Sequence, residues 1–126
     1  MNCWPNCSEF GLKDSFTLIQ NSGSGVITQV RASGGGTKGA LWKQILASVL
    51  EAELVTINTT EGAAFGAALL AGVGAGVWPD VVSACKTVVK ITGSTLPDLA
   101  QVEAYRKAYP LYQELYPALK SIFGKM

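Results

Sequence analysis

The residues of this chain best suited to meet a ligand are a run of glycines. Val26 to Ala32 alternates, with Val26, Thr28 and Val30 on one face and Ile27, Gln29 and Arg31 on the other, which is the pattern of a strand. Ser33-Gly34-Gly35-Gly36-Thr37 ends it, and a helical pattern begins at about Lys38. Glycines at the carboxyl end of a strand let the backbone come close to a ligand, because no Cβ stands in the way. The helix start behind them offers unpaired N–H groups and positive potential, which suit phosphate. The candidate phosphate-binding residues are therefore Gly34, Gly35, Gly36 and Gly39. Their spacing fits neither a P-loop nor a dinucleotide fingerprint. A tight strand-to-helix turn that needs glycine only for its geometry explains the same residues, and at this level both readings stand.

Other chemistry is scarce. There is no histidine, which removes His-based acid–base catalysis, Ser-His-Asp triads and His-containing metal sites. Cys3 and Cys7 lack a second cysteine pair, so no metal site is assigned, and no catalytic residue either. The stripe Tyr105, Tyr109, Tyr112 and Tyr116 reads as a packing face rather than an aromatic ligand box. Asn58 to Gly72 is a second candidate segment, whose Ala63, Gly66, Ala67 and Ala71 would let a helix pack closely against the glycine turn or simply against a sheet.

The elements that must position these residues follow from periodicity. A helix is expected from Phe10 to Ile19 and a turn over Asn21–Gly25. After the Val26–Ala32 strand and the glycine turn come a helix from Lys38 to Glu51 and a strand from Leu54 to Ile57. Asn58 and Glu61 form the pattern of a capping box for a helix from Thr59 to Leu70 or beyond, which Gly72 to Gly76 loosens or ends. Pro79 or Asp80 opens another helix through Val88, with Val81, Val82, Cys85 and Val89 toward a core. Val89 to Ile91 is a possible short strand, and Pro97-Asp98 begins a long terminal helix that Pro110 should kink. The order is α/β, with residues 1–9 as an irregular lead-in and residues 10–126 as one unit.

Composition sets the outer limits. The 126 residues are 48% apolar, enough for a core, and the net charge of +1 carries no nucleic-acid footprint. The longest apolar candidate, Ala63 to Val77, is too short and too rich in Gly and Ala to span a membrane. No secretory signal opens the sequence, and three cysteines at irregular spacing favour a reducing, cytoplasmic compartment.

Two segments carry a family resemblance. Arg31-Ala32-Ser33-Gly34-Gly35-Gly36, with Leu41-Trp42 and Gln44-Ile45-Leu46-Ala47, resembles the adenosine-binding turn and helix of the FGGY carbohydrate kinases. Val55 through Gly72 resembles the next strand and helix of their xylulokinase branch, as does the closing Tyr112, Leu115-Tyr116-Pro117-Ala118-Leu119-Lys120. The resemblance runs from about Phe10 to Phe123.

It implies an incomplete C-terminal domain of the ribonuclease H-like, actin-like ATPase fold. In that family ATP lies on this domain and the sugar lies deeper, between two domains. The resemblance places the backbone of Gly34 and Gly35 against nucleotide phosphate and ribose. Gly39 falls where many members carry Asn or Ser against adenosine, so that contact is lost here. The family's N-terminal domain, its catalytic aspartate and much of the front of the C-terminal domain find no counterpart, and Met1 to Glu9 does not match the family.

The expected parent is an ATP- and Mg-dependent kinase acting on D-xylulose, of which this chain alone is inactive. A weak stand-alone nucleotide-binding module and a ligand-free oligomerising remnant are the alternatives. The expected partner is a nucleotide, with sugar bound only in the parent. Strand edges and helix faces left uncovered predict a homo-oligomer, by exchange of the first or last helix.

Overall fold

The structure, a computed structural model, describes residues 7–59, 61–123 and 125. Among the described residues five helices and three strands follow one another as α1 (Cys7–Ile19), β1 (Gln29–Ala32), α2 (Ala40–Leu50), β2 (Glu53–Ile57), α3 (Gly62–Gly74), α4 (Val81–Val88), β3 (Ile91–Thr95) and α5 (Leu99–Phe123). A π-type turn at Gln20–Ser24 leaves α1, and a 3₁₀ turn at Gly35–Lys38 joins β1 to α2. The strands form one sheet in the order β1-β2-β3. β1 and β2 are parallel, with Val30 opposite Leu54, and β2 and β3 are antiparallel, with Val55 opposite Ser94.

β2 is central, and its neighbours Leu54 and Val55 are both 1% exposed. Successive strand residues point to opposite faces, so both faces of the sheet are covered there. On one face lies α2. Leu46, Ala47, Leu50, Ala52 and Leu54 form its core contact, joined by Phe16 from α1, Val30 and Ala32 from β1, and Trp42. Ala84 of α4 and Leu69 of α3 are buried in the second helical layer.

Polar groups fix α2 to the helices above it. Ser48 is fully buried; its hydroxyl donates to the Gln44 carbonyl at 2.8 Å and accepts from the Asp98 N–H at 3.1 Å. The Gln44 amide donates to the Leu96 carbonyl at 2.9 Å, so the turn before α5 is tied to α2 twice. Past the end of α2, Glu51 has φ 57 and ψ 33, a left-handed conformation uncommon for a residue with a side chain. Its carboxylate accepts from Lys13 of α1 at 2.9 Å and from the Arg106 guanidinium of α5. Lys13 also donates to the Val49 carbonyl at 2.8 Å, which satisfies one of the open carbonyls at the helix end.

α1 meets α5 through an aromatic cluster. Phe10, 4% exposed, lies 5.4 to 6.1 Å from the ring centres of Tyr105, Tyr109 and Tyr112. The Tyr109 hydroxyl donates to the Asp14 carboxylate, and burial, together with that bond, pushes its pKa up. The tyrosine stripe is thus a packing face as far as Tyr112. From Gln113 to Ile122 every residue of α5 is exposed, Tyr116 included.

Several local expectations are corrected. Cys7 to Glu9, read as irregular, are helical, and Glu9 sits in the first turn of α1. The first strand starts at Gln29 rather than Val26, because its ladder with β2 begins only at Gln29 and Glu53. The third strand is Ile91–Thr95 rather than Val89–Ile91. Asn58 does not cap α3; its side chain accepts from the Lys90 N–H and donates to the Val88 carbonyl, and Glu61 occupies the cap position with no side-chain bond. On α4, Val81 and Val82 are exposed and Ala84 is the buried residue. The small residues of α3 do not line a close helix–sheet contact: Ala63, Ala67 and Ala71 are exposed. α5 continues through Pro110 and Pro117. Both prolines are exposed; each removes one helix hydrogen bond, and it does so on the solvent-facing part of α5 rather than in the core.

The Glu51 contacts make stability pH-dependent. Its bond to Arg106, and then those to Lys13, hold the carboxyl below its ordinary value of 4.5. A depressed carboxylate stabilises the fold above its unfolded pKa and loses that contribution as pH falls through the folded one. Because the pair is partly solvent-screened, Glu51→Gln should lower stability by about 0.5–1 kcal/mol near neutral pH. The gap from the parent chain should close as pH drops below about 4. Urea midpoints of the two chains across that range check it; a gap that does not depend on pH contradicts it.

Candidate functional site

β1 and β2 run parallel, so their carboxyl ends, at Ala32 and Ile57, lie side by side. In open α/β sheets such ends are where ligands are met. The glycine turn stands directly after the first of them. Gly34 has φ 102 and ψ 177, a conformation that is essentially glycine's alone. Gly35 to Lys38 then make the 3₁₀ turn, and Gly39, extended at φ -82 and ψ 119, is the N-cap of α2.

The structure brings the four candidate glycines together at one corner. Gly34 is half-buried, and Gly35, Gly36 and Gly39 are exposed. Among the described residues no atom outside their chain neighbours comes within 4 Å of where a side chain would begin at Gly34 or Gly35. Beneath Gly36 lies the Trp42 indole, three of whose ring atoms would be 3.6 Å from a Cβ there. At Gly39 the nearest atoms to a Cβ would be the Trp42 Cβ at 3.7 Å and the Gly36 oxygen at 3.8 Å. The turn therefore has an open upper surface and an aromatic floor.

The start of α3 approaches the same corner. A Cβ on Gly62 would stand 2.6 Å from the Ser33 hydroxyl oxygen, which means that the chain entering α3 touches the residue that opens the glycine turn. The Asn58–Gly72 segment thus reaches the turn through Gly62, not through its alanines. The Thr59 hydroxyl accepts from the Glu61 N–H at 3.1 Å in the loop between β2 and α3.

One residue of the turn carries no signal in the composition of the glycine run. Thr37 is buried; its hydroxyl donates to the Gly34 carbonyl at 2.7 Å and its N–H donates to the same oxygen at 3.2 Å. A hydroxyl reaching back to the carbonyl three residues earlier is a known habit of Ser and Thr at turns, and a Thr three places after Gly34 is the signal that could have revealed it.

The three aspartates, all outside this corner, have structural partners. Asp14 accepts from Tyr109. Asp80 caps α4 by accepting from the Ser83 N–H at 2.7 Å, and Asp98 caps α5 by accepting from the Ala100 and Gln101 N–H groups at 2.8 and 3.2 Å. Among the described residues no group of three Asp, Glu or Cys side chains is placed to hold a metal ion. Among the described residues no helix is long and apolar enough to cross a membrane. Cys3 lies outside the described residues.

The profile of the C-terminal domain of the FGGY family of carbohydrate kinases matches residues 10–75. Xylulose kinase of Bacillus subtilis is 27% identical over 113 residues, 90% of this chain and 22% of that protein. Autoinducer-2 kinase of Salmonella typhimurium is 36% identical over 84 residues, 67% of this chain and 16% of that protein. The crystal structure of gluconate kinase from Lactobacillus acidophilus superposes with a TM-score of 0.79 at 26% identity, over 93% of this chain and 23% of that one. This chain spans less than a quarter of each. The fold they share is of the actin-like ATPase type, of which a small three-stranded part is present here. The chain belongs to the FGGY family of carbohydrate kinases and holds part of its C-terminal domain.

Gly34 and Gly35 should respond differently to a single methyl group. At φ 102 an alanine is strained whatever the space, so Gly34→Ala should cost roughly 1–3 kcal/mol. Gly35 has no positive φ and open space around it, so Gly35→Ala should stay within about 0.5 kcal/mol of the parent chain. Urea unfolding of the two variants compares them; equal losses would mean that the turn is not built as described.

Proposed function

We propose that the chain is the nucleotide-binding portion of a sugar kinase, with residues 10–126 as part of its C-terminal domain and the Gly34–Gly39 turn as the place where ATP or ADP meets it. The observation that carries this reading is the open upper surface of Gly34 and Gly35 at the carboxyl end of a parallel strand, within the segment that matches the family. In the whole kinase the γ-phosphoryl group of MgATP would pass to a sugar hydroxyl, a reaction governed by positioning and charge stabilisation. D-xylulose is the proposed sugar, on the strength of the xylulose kinase similarity over 90% of the chain. The relatives also include autoinducer-2 kinase and gluconate kinase, so the choice of sugar rests on that similarity alone.

Magnesium would arrive on the phosphates of the nucleotide, since the described residues offer no cluster of acidic groups for it. Gly39 presents no side chain to a base, which goes with weak affinity and little preference among bases. A cytoplasmic setting fits ATP as the phosphoryl donor.

Two measurements test the reading. Calorimetry should detect weak ADP binding to the parent chain and none to Gly35→Val, whose branched side chain fills the open surface without touching the core. Undiminished affinity in that variant would move the site elsewhere. The purified chain should release no sugar-dependent ADP above a blank, because its three aspartates, Asp14, Asp80 and Asp98, are committed to packing and helix caps and none stands at the glycine turn as a general base.

We also propose that the chain self-associates. Leu41 of α2 and Leu70 of α3 are 72% and 60% exposed, and β1 pairs only on its β2 side among the described strands. Exposed apolar faces and open strand edges favour association, and a net charge of +1 offers little repulsion. Light scattering at micromolar concentration should give a dimer or larger mass; a monodisperse monomer that binds no apolar dye rules this out.

A further inference from the structure

Thr37 is 9% exposed although it belongs to an otherwise exposed turn. Both of its donors, the hydroxyl at 2.7 Å and the backbone N–H at 3.2 Å, reach the same acceptor, the Gly34 carbonyl oxygen. A peptide unit is planar and trans, so its C=O and N–H point in opposite directions. With the Gly34 oxygen drawn under the turn, the N–H of the same unit, which is that of Gly35, is turned the other way. Gly34 reaches this orientation at φ 102 and ψ 177, where a residue with a side chain would resist it. The space above is open: no atom outside the chain neighbours lies within 4 Å of a Cβ position at Gly34 or Gly35.

We infer that Thr37 is a positioning residue of the nucleotide site: its hydroxyl fixes the Gly34–Gly35 peptide so that the Gly35 N–H faces a phosphate of the bound nucleotide. The inference rests on the reading that nucleotide binds at this turn. Thr37 touches no ligand. It acts through a peptide unit whose flip would present a carbonyl oxygen to the phosphate and exchange attraction for repulsion. A merely structural role would weaken every ligand of the turn alike, whereas this role acts on the phosphate alone.

The test compares the parent chain with Thr37→Val and Thr37→Ser by calorimetry, using ADP and adenosine as separate probes. Valine keeps the shape and removes the hydroxyl donor; serine keeps the donor. Thr37→Val should lose roughly tenfold in ADP affinity, in line with one hydrogen bond of positioning, while adenosine binding stays within about twofold. Thr37→Ser should bind ADP as the parent chain does. Circular dichroism confirms folding first, and Thr37→Ala replaces the valine variant if that one fails to fold. Equal ADP affinity in the parent and valine chains overturns the inference and leaves the nucleotide site standing. So does an equal loss for ADP and adenosine. A parent chain that binds neither probe overturns both the site and the role of Thr37.

Discussion

Everything in this structure leans on the burial of the last turns of α2. Leu46, Ala47, Ser48, Val49 and Leu50 are five consecutive buried residues. A surface helix buries one stripe, so a run buried on all sides means contact all round. The sheet lies on one side, and α1 and α5 lie on the others. Close approach from several directions selects small residues where the crowding is worst, and Ala47 and Ser48 are both completely enclosed. A hydroxyl in that position is tolerable only when bonded, and the Gln44 carbonyl and the Asp98 N–H supply both partners.

The glycine turn inherits its rigidity from that helix. Its first end is β1, whose Val30 and Ala32 pack on the core around α2, and its second end is α2 itself, through Trp42. The turn is exposed and its anchors are not. A loop displayed on a fixed scaffold in this way keeps a defined shape without burying the surface a ligand needs. The contact between Gly62 and Ser33 adds a third anchor from the chain entering α3.

The parts of the fold legible in the sequence are those written in side-chain periodicity. α1, α2, α4, β2 and the start of α5 were all expected close to where they occur, because apolar spacing and capping residues such as Asp80 and Asp98 mark them directly. The glycine corner was legible as a candidate because glycine composition signals backbone geometry. What stayed hidden depends on tertiary partners. Asn58 and Glu61 have the spacing of a capping box, yet Asn58 finds a stronger pair of partners in the chain around Val88 and Lys90, far away in sequence. Val81 and Val82 are apolar enough for a core, yet α4 turns Ala84 inward instead. Thr37 belongs to no apolar period and caps no helix, and its work is done by a bond to the Gly34 carbonyl that exists only in the folded turn.

α5 combines two regimes in one helix. Its first turns, around the buried Val102 and the tyrosines facing Phe10, share the fate of the core. Its last three turns, Gln113 to Ile122, are exposed on every side, and Pro117 deletes one of their few backbone bonds. An unsupported helical stretch of that length is marginal in water. Amide hydrogens there will exchange with solvent at nearly the rate of a free chain, while those beside Val102 wait for global unfolding. The same helix therefore belongs at one end to the most protected unit of the protein and at the other to its least protected.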